Sequence, residues 1–323
     1  MTGQQDEFSL IARYFAPLSQ SFAGAMSLSD DAAFVTPEPG KVLVVTTDAI
    51  VEGVHFLPDT PAELVARKLV RVNLSDLAAK GAKPFAVLLN AVFPKTLEER
   101  WIADFSAGLK QDFDLFGISL IGGDTVSTPG PLCLALTALG WATIGMTPHR
   151  SVAKAGDDIW VSGTIGDGGA GLLVAKGNFT SDFLRDRYQL PQPRVELGQA
   201  IAGLVNAAMD VSDGLIQDLG HICTASGLGA ELLLDHIPLS QAYRETGLSL
   251  LDAASMGDDY ELLFTASPHQ ADAIQDQSLR CGIDIARIGR MIEGNGVCCR
   301  DAKGNVVTPT RTGWQHFDQG NDV

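Results

Sequence analysis

The chain lacks the sequence features that mark several protein classes. Its 323 residues carry 23 lysines and arginines against 39 aspartates and glutamates, so the net charge is −16 and little cationic surface remains for nucleic acid or an anionic membrane. Its apolar runs are too interrupted to span a bilayer, and its N-terminus has neither the basic start nor the apolar core of a signal peptide. Its five cysteines form no zinc-binding pattern. We therefore expect a cytoplasmic protein with reduced thiols and no nucleic-acid or membrane partner.

The common nucleotide-binding motifs are also missing. The sequence contains no P-loop and no catalytic-loop motif of a protein kinase. Residues Gly166–Gly171 do match the glycine pattern of a dinucleotide-binding turn, but such a fold needs a second strand that ends in an acidic residue about 20 residues later. Residues 178–187 are polar and do not form a strand pattern. We predict instead that these glycines let a helix pack closely against its neighbours.

Strand and helix patterns alternate along the whole chain. With 46% hydrophobic and 19% charged residues, the composition is that of a soluble globular protein, and the length suits two domains. The alternation predicts two α/β or α+β sandwich domains, 1–150 and 151–323, divided by the irregular stretch 148–157. In the first domain we predict strands at 42–48, 85–93, 118–122 and 132–144 and helices at 61–80 and 98–113. In the second we predict strands at 158–163, 207–211, 231–234, 260–265 and 286–292 and helices from 168, at 180–188, after 193, from 214 and at 268–280.

Aspartates recur at the ends of short apolar runs, and this pattern indicates metal-assisted phosphate chemistry. The clusters are Asp30–Asp31, Thr46–Asp48, Asn73–Asp76, Gly122–Thr125, Asp210–Asp213 and Asp258–Asp259. Carboxylates at the ends of buried strands, where we expect Asp48 and Asp124, are costly unless something pairs with them. Hard oxygen ligands suit Mg²⁺, which in enzymes commonly accompanies nucleotide phosphates. An acidic protein that binds phosphates needs such a cation.

Each cluster also has a local structural interpretation. Asp76 lies four residues before Lys80 on the predicted helix, a routine ion-pair spacing, although Asn73 on the same face would let both polar groups project into a site. Asp213 can cap the helix that follows it, and the Gly122–Thr125 segment can be only a turn. A separate local explanation for all six clusters is less economical than a shared site.

Together these motifs resemble the thiamine-monophosphate kinase family. The matching segments extend over nearly the whole chain, from Phe8 to Phe317, and are Asp30–Ala33, Thr46–Phe56, Asn73–Pro84, Gly122–Thr125, Asp210–Leu215, Asp259–Leu262 and Gly313–Phe317. Related families that make aminoimidazole ribonucleotide, selenophosphate or a hydrogenase ligand share the N-terminal aspartates. The segments Glu52–Phe56 and Gly313–Phe317 favour the thiamine enzymes over those relatives.

The resemblance implies transfer of a phosphoryl group from ATP to thiamine monophosphate, which gives ADP and thiamine diphosphate. It also implies an N-terminal sheet that forms a homodimer and a C-terminal mixed α/β domain that closes the active-site cleft. Because two polyanions must meet, positioning and charge neutralisation by Mg²⁺ would supply most of the catalysis.

The same resemblance implies a role for each matching residue. The implied Mg²⁺ ligands are Asp31, Thr46, Thr47, Asp48, Asp76, Asp124, Asp210 and Asp213, among which Asp48, Asp124 and Asp210 would be catalytic. The implied ATP contacts are Gly123, Asp124, Arg150 and Ser212. The implied contacts to thiamine monophosphate are His55, Asp258 and Trp314. Without the resemblance, His55, Arg150 and Trp314 have ordinary interpretations as a satisfied histidine, a surface charge and a packed aromatic ring.

Two positions depart from the family pattern. Asp258 stands where the family usually has a longer glutamate, and Ser29 stands where it usually has glycine. The residues leave two other functions open: an ATP-dependent synthetase or ligase of the same superfamily, and a catalytically inactive nucleotide-binding scaffold. Incubation with ATP, Mg²⁺ and thiamine monophosphate separates the kinase from the ligase, because only a kinase of this family would form thiamine diphosphate, and the intact carboxylate set argues against the scaffold.

Overall fold

The computed structural model describes residues 7–315, which divide into two compact units. The first unit contains residues up to 77 together with 82–144, and the second contains 78–81 together with residues from 145 onwards. His316 and Phe317, which end the last matching motif, lie outside the described residues. None of the helices within 7–315 combines the length and apolarity that a bilayer crossing requires.

The first unit is built on one four-stranded sheet. Its strands are β1 (Lys41–Val51), β2 (Lys83–Pro94), β3 (Ser119–Thr128) and β4 (Cys133–Thr143), in the order β1-β4-β2-β3. Only the β2–β3 pair is parallel. The helices are α1 (Glu7–Leu10), α2 (Ala62–Ala79) and α3 (Glu99–Phe116), and shorter helical turns cover Ile11–Phe15, Ala16–Ser19 and Ala23–Leu28. Strands β1 and β3 are therefore the two edges of the sheet.

Side-chain alternation gives the sheet of the first unit two different faces. On β1, Ile50 is buried and Thr46 and Asp48 are half-buried, whereas Val45 and Thr47 on the opposite face are exposed. A small apolar cluster around Ala25, Ala86, Ile121 and Leu139 brings the N-terminal helical turns against part of the sheet. The rest of the exposed face keeps large apolar side chains open to solvent, among them Leu43, Val45 and Val126.

The prediction that Asp48 and Asp124 end their strands is wrong. Strand β1 continues to Val51, which still pairs with β4, and β3 continues to Thr128, which still pairs with β2. The polar side chains that made these segments look like strand ends lie on edge strands, where one side of the ladder is unpaired and polar residues cost little. Both carboxylates therefore project from the middle of a strand.

The second unit is built on a seven-stranded mixed sheet. Its strands are β5 (Asp158–Ser162), β6 (Ala208–Asp210), β7 (Gly229–Leu233), β8 (Leu262–Ala266), β9 (Ile285–Ile292), β10 (Gly296–Arg300) and β11 (Val306–Val307), in the order β11-β10-β7-β9-β5-β8-β6. Its helices are α4 (Asp167–Ala175), α5 (Asp182–Gln189), α6 (Val195–Ile201), α7 (Leu215–Ser226), α8 (Gln241–Glu245), α9 (Leu250–Ser255) and α10 (Ala271–Cys281). The β7–β10 pair is parallel and the other pairs are antiparallel. The predicted two-domain mixed α/β class is confirmed.

The glycines of helix α4 serve close packing, as predicted. A Cβ atom on Gly168 would lie 2.1 Å from the carbonyl oxygen of Asp258, and one on Gly171 would lie 2.0 Å from that of Leu184. The polar segment that a dinucleotide fold would need as a strand is helix α5 instead. Helix α4 thus rests directly on the backbone that carries Asp258.

Candidate functional site

In the first unit, strand β1 and helix α2 bring the predicted polar residues together. Thr46 Oγ1 donates a hydrogen bond to Asp76 Oδ2. The backbone N–H of Asp48 donates to Asn73 Oδ1 at 3.0 Å, and Asn73 Nδ2 donates to the Leu69 carbonyl at 2.9 Å. Asn73 is fully buried, so both of its bonds hold it firmly between the helix and the strand. Asp76 therefore faces β1, as the interpretation of a shared site requires.

Two other predicted ligands lie elsewhere on the same sheet. Thr47 points to the opposite face from Thr46, where Thr137 Oγ1 donates to its hydroxyl at 3.1 Å. Asp124 is exposed on β3, at the far edge of the sheet from β1. Asp124 pairs with Asn90 on β2, Asn90 pairs with Ala135 on β4, and Ala135 pairs with Ala49 on β1. Asp124 therefore projects from the same face as Thr47 and lies about 14 Å from β1, measured across the strands.

Asp31 and Gly123 are two further predicted site residues of the first unit. Asp31 is exposed, and its backbone N–H donates to Asp30 Oδ1 at 2.8 Å. Gly123 has φ +148, and a Cβ atom there would lie 1.8 Å from the Leu89 carbonyl oxygen. Only glycine fits this position, because the two strands pass too closely for a side chain.

His55 lies just after β1 in a constrained turn. Its Nδ1 accepts the backbone N–H of Val51 at 3.1 Å, and its carbonyl oxygen accepts a hydrogen bond from the buried Lys68 ammonium at 3.0 Å. Because Nδ1 is an acceptor, the proton of the neutral ring is on Nε2. The ring is therefore arranged to donate from Nε2, which suits contact with an anionic oxygen.

In the second unit, a loop after β6 carries the Asp210–Asp213 motif. Asp210 ends the strand and is buried, and the next residues turn into helix α7. The N-cap of α7 is Gly214, so the cap lies in the Asp213–Gly214 pair, but the Asp213 side chain does not cap the helix. In the first turn of α7, the backbone N–H of Gln217 donates instead to the Thr312 carbonyl oxygen at 3.1 Å. The Asp218 carboxylate accepts the backbone N–H groups of Ser212, Asp213 and Gly214, each at 3.1 Å.

Asp218 was not identified from the sequence, where it is one acidic residue in the first turn of a helix. Its side chain is 1% exposed. Burial, together with the nearby Asp213 carboxylate, raises the pKa of the Asp218 carboxyl to about 7. Asp213, Asp218 and His221 each offer a ligand atom within 4.8 Å of the others, so this corner of the unit also has the donors for a cation.

The segment that carries Asp258 is held in an unusual backbone conformation. Asp258 has φ +67 and Tyr260 has φ +51, both in the left-handed region that non-glycine residues seldom adopt. Asp259 between them is buried and accepts the backbone N–H groups of Gly166 and Gly168 at 2.8 and 3.0 Å. Burial raises the pKa of the Asp259 carboxyl well above its usual value. Strained backbone of this kind is concentrated at functional sites.

A groove runs along helix α7 beside the C-terminal segment. Its volume is 710 Å³, and its lining includes Asp213, Gln217, His221, Thr312, Trp314 and Gln315. Gln217 Nε2 donates to Asp213 Oδ2 at 3.2 Å and to the Trp314 carbonyl at 2.7 Å. Asp213 and Trp314 therefore share one wall, whereas Arg150 is exposed in the segment before β5.

Comparison with known proteins gives a consistent result across both units. Residues 29–142 match the family model of the AIR synthase related protein N-terminal domain, and residues 154–300 match that of the C-terminal domain. The thiamine-monophosphate kinase of Caulobacter vibrioides is 44% identical over 319 residues, which cover 96% of this chain and 90% of the relative. The chain belongs to the thiamine-monophosphate kinase family.

Solved structures of this kinase family have the same fold. The thiamine-monophosphate kinase of Stenotrophomonas maltophilia K279a superposes with a TM-score of 0.79 at 41% identity, covering 87% of this chain and 91% of that one. AaThiL, solved in complex with AMPPCP and TMP, superposes with a TM-score of 0.77 at 31% identity, covering 96% and 97%. The family resemblance drawn from the motifs is therefore confirmed.

Proposed function

We propose that the protein transfers the γ-phosphoryl group of ATP to the phosphate of thiamine monophosphate. The bond between the γ-phosphorus and the β–γ bridging oxygen breaks, a bond to an acceptor phosphate oxygen forms, and ADP leaves. The observation that carries this proposal is the full-length match to thiamine-monophosphate kinases, one of which was solved with an ATP analogue and TMP. The carboxylates of Asp48 and Asp76 in the first unit, and those of Asp210 and Asp213 in the second, support it, since phosphate transfer in an acidic protein needs cations.

The residue roles in this proposal follow the family motifs. The Mg²⁺ ligands would be Asp31, Thr46, Thr47, Asp48, Asp76, Asp124, Asp210 and Asp213; the ATP contacts Gly123, Asp124, Arg150 and Ser212; and the acceptor contacts His55, Asp258 and Trp314. The hard oxygen donors gathered at β1 and α2, and again at the loop after β6, fit Mg²⁺ better than a softer metal. Bound there, Mg²⁺ would offset the negative charge of the phosphates.

The acceptor needs no general base from the protein. A phosphate monoester has a second pKa of about 6 and is largely dianionic at neutral pH, so the nucleophile arrives ionised. The Nδ1 atom of His55 accepts a backbone N–H, which leaves this residue suited to donating a hydrogen bond rather than taking a proton there. We therefore infer a single in-line displacement, which would invert the configuration at a chiral γ-phosphorus.

A homodimer formed through the sheet of the first unit is part of this proposal. The exposed face carries Leu43, Val45 and Val126, which are 40%, 55% and 46% exposed, and within residues 7–315 neither β1 nor β3 pairs with a strand on its outer side. A second copy on this sheet also explains the position of Asp124, which is remote from Asp48 within one chain. We infer that β3 of one copy lies beside β1 of its partner, so that Asp124 acts with the Thr46–Asp48 motif of that partner.

The test of the function is product formation. Incubation with ATP, Mg²⁺ and thiamine monophosphate should yield thiamine diphosphate and ADP in equal amounts. Hydrolysis of ATP without thiamine diphosphate would favour the synthetase or ligase, and failure to turn over ATP at all would favour the inactive scaffold. A cytoplasmic location and a C-terminal domain that closes the cleft remain predictions.

ATP binding should depend strongly on Mg²⁺. Without a cation, the carboxylates in a chain of net charge −16 repel the polyphosphate. Isothermal titration calorimetry should therefore show at least about tenfold weaker ATP binding in excess chelator than in excess Mg²⁺. Equal affinity under the two conditions would contradict a role for Mg²⁺ in nucleotide binding.

Replacing His55 should weaken acceptor binding more than it slows turnover. In His55→Gln we expect the KM for thiamine monophosphate to rise about tenfold while kcat at saturation changes by less than about threefold, because a binding contact is lost rather than a base. His269→Gln, at an exposed position in a turn of the second unit, is the matched control and should change neither constant. A large fall in kcat with unchanged KM would instead make His55 part of the chemical step.

A further inference from the structure

The Ser212–Gly214 loop connects the residues proposed to contact the two substrates. The carbonyl oxygen of Ser212 accepts the backbone N–H of Asp258 at 2.8 Å. The carbonyl oxygen of Asp213 accepts the backbone N–H of Trp314 at 2.9 Å. Any displacement of this loop therefore moves Asp258 and Trp314, on the acceptor side, together with Ser212 and Asp213, on the nucleotide and metal side.

One buried carboxylate oxygen accepts three of the hydrogen bonds that hold the loop. Asp218 Oδ2 accepts the N–H groups of Ser212, Asp213 and Gly214, so three consecutive amides converge on one carboxylate. Gly214 has φ +128 and ψ +140, a conformation outside the helical region, which glycine tolerates. Three amides without their acceptor would have to find other partners, and the loop would move to supply them.

We propose that Asp218 is a positioning residue. By holding the Ser212–Gly214 loop, it fixes the residues proposed to bind ATP and metal relative to those proposed to contact thiamine monophosphate. The inference rests on the proposed function, which supplies the roles of Ser212, Asp213, Asp258 and Trp314. Asp218 itself contacts no substrate in this scheme. Its contribution is the fixed arrangement of four groups that would contact substrate or metal, since small misplacements of positioned groups cost large factors in binding and rate.

A second buried aspartate in the same unit offers a matched control. Asp157 is 3% exposed and accepts hydrogen bonds from the Lys154 backbone N–H, Asn206 Nδ2 and Thr265 Oγ1. None of these partners belongs to the proposed site. Asp157→Ala therefore reproduces the loss of a buried, hydrogen-bonded carboxylate without touching the loop.

The kinetic experiment compares Asp218→Ala, Asp218→Asn and Asp157→Ala with the wild type. In Asp218→Ala we expect the KM values for ATP and thiamine monophosphate to rise together by about tenfold, because three hydrogen bonds to the loop are lost. Asp218→Asn keeps an oxygen acceptor and should restore both KM values to within about threefold. Asp157→Ala should lower stability and leave both KM values unchanged. Unchanged KM values in Asp218→Ala, or an asparagine variant as impaired as the alanine variant, would overturn the proposal.

Hydrogen exchange measures the loop without relying on activity. The amides of residues 212–214 should exchange at least about tenfold faster in Asp218→Ala than in the wild type, and at the wild-type rate in Asp157→Ala. A wild-type protein that makes no thiamine diphosphate would reject the proposed function while leaving this measurement valid. Faster exchange with unaltered KM values in an active enzyme would show that Asp218 holds the loop but does not position the substrates.

Discussion

A heterodimer of the Asp48→Asn and Asp124→Asn variants should have about half of the wild-type activity, although each variant alone should lose at least about 99% of it. An amide keeps the shape of either side chain but lacks the charge that binds Mg²⁺. In a homodimer of either variant, both sites contain a lesion. In the heterodimer one site combines the intact Asp48 of one chain with the intact Asp124 of the other, and the second site carries both lesions.

The topology of the sheet is the reason to expect this exchange of residues. Strand β1 is one edge and strand β3 the other, so three inter-strand spacings separate Asp48 from Asp124 within a chain. The two carboxylates also project from opposite faces. In a two-fold dimer, by contrast, an edge of one sheet can lie beside the other edge of its partner.

The control for this experiment pairs two lesions that one chain brings together. Asp76 accepts a hydrogen bond from Thr46 on β1, so Asp48 and Asp76 belong to the same cluster of one copy. A heterodimer of Asp48→Asn and Asp76→Asn would contain one intact site only if Asp76 of one chain acted in the site of the other chain. The contact of Asp76 with Thr46 of its own chain argues against that. We expect no recovery in this pair. Failure of the Asp48 and Asp124 variants to complement, in dimers purified through two different tags, would place Asp124 in its own chain's site.

The fold was largely predictable because hydrophobic periodicity is a local property. The β-branched run of β1 and the helical spacing of α2 both predict elements that the structure contains. Helices α8 and α9 were missed, since five or six residues are too few to show a periodic pattern. The limits of β1 and β3 were misjudged because backbone pairing on an edge strand continues through polar side chains.

The candidate site was predictable as a set of residues but not as an arrangement. The motifs name Thr46, Thr47 and Asp48 together, yet the pleat sends Thr47 to the other face. The supporting residues were missed for a different reason. Asp259 accepts hydrogen bonds from amides more than 90 residues earlier in the chain, and no local pattern reports such a contact. The left-handed conformation of Asp258 was likewise not predictable, since aspartate adopts it only occasionally and no local pattern marks where it does.

Replacing Glu261 by glutamine should lower the free energy of unfolding by about 3–5 kcal/mol. Glu261 is fully buried just before β8, where it pairs with the guanidinium groups of Arg187 and Arg194 and accepts a hydrogen bond from the Ser162 hydroxyl at 2.6 Å. Glutamine has nearly the same shape, but it leaves two largely buried cations without their counter-charge. A domain of this kind is stabilised by only about 5–15 kcal/mol in total, so the loss should be plain in urea denaturation.

A second, more exposed ion pair in the same sheet tests whether burial sets the stability lost when the glutamate is neutralised. Glu231 pairs with Arg300 between β7 and β10, but both side chains are about one-third exposed. Water screens the charges there, so Glu231→Gln should cost much less than Glu261→Gln. Equal losses in the two variants would show that burial does not set the cost. A neutral Glu261→Gln would mean that water or another acidic group compensates Arg187 and Arg194 once the carboxylate is gone.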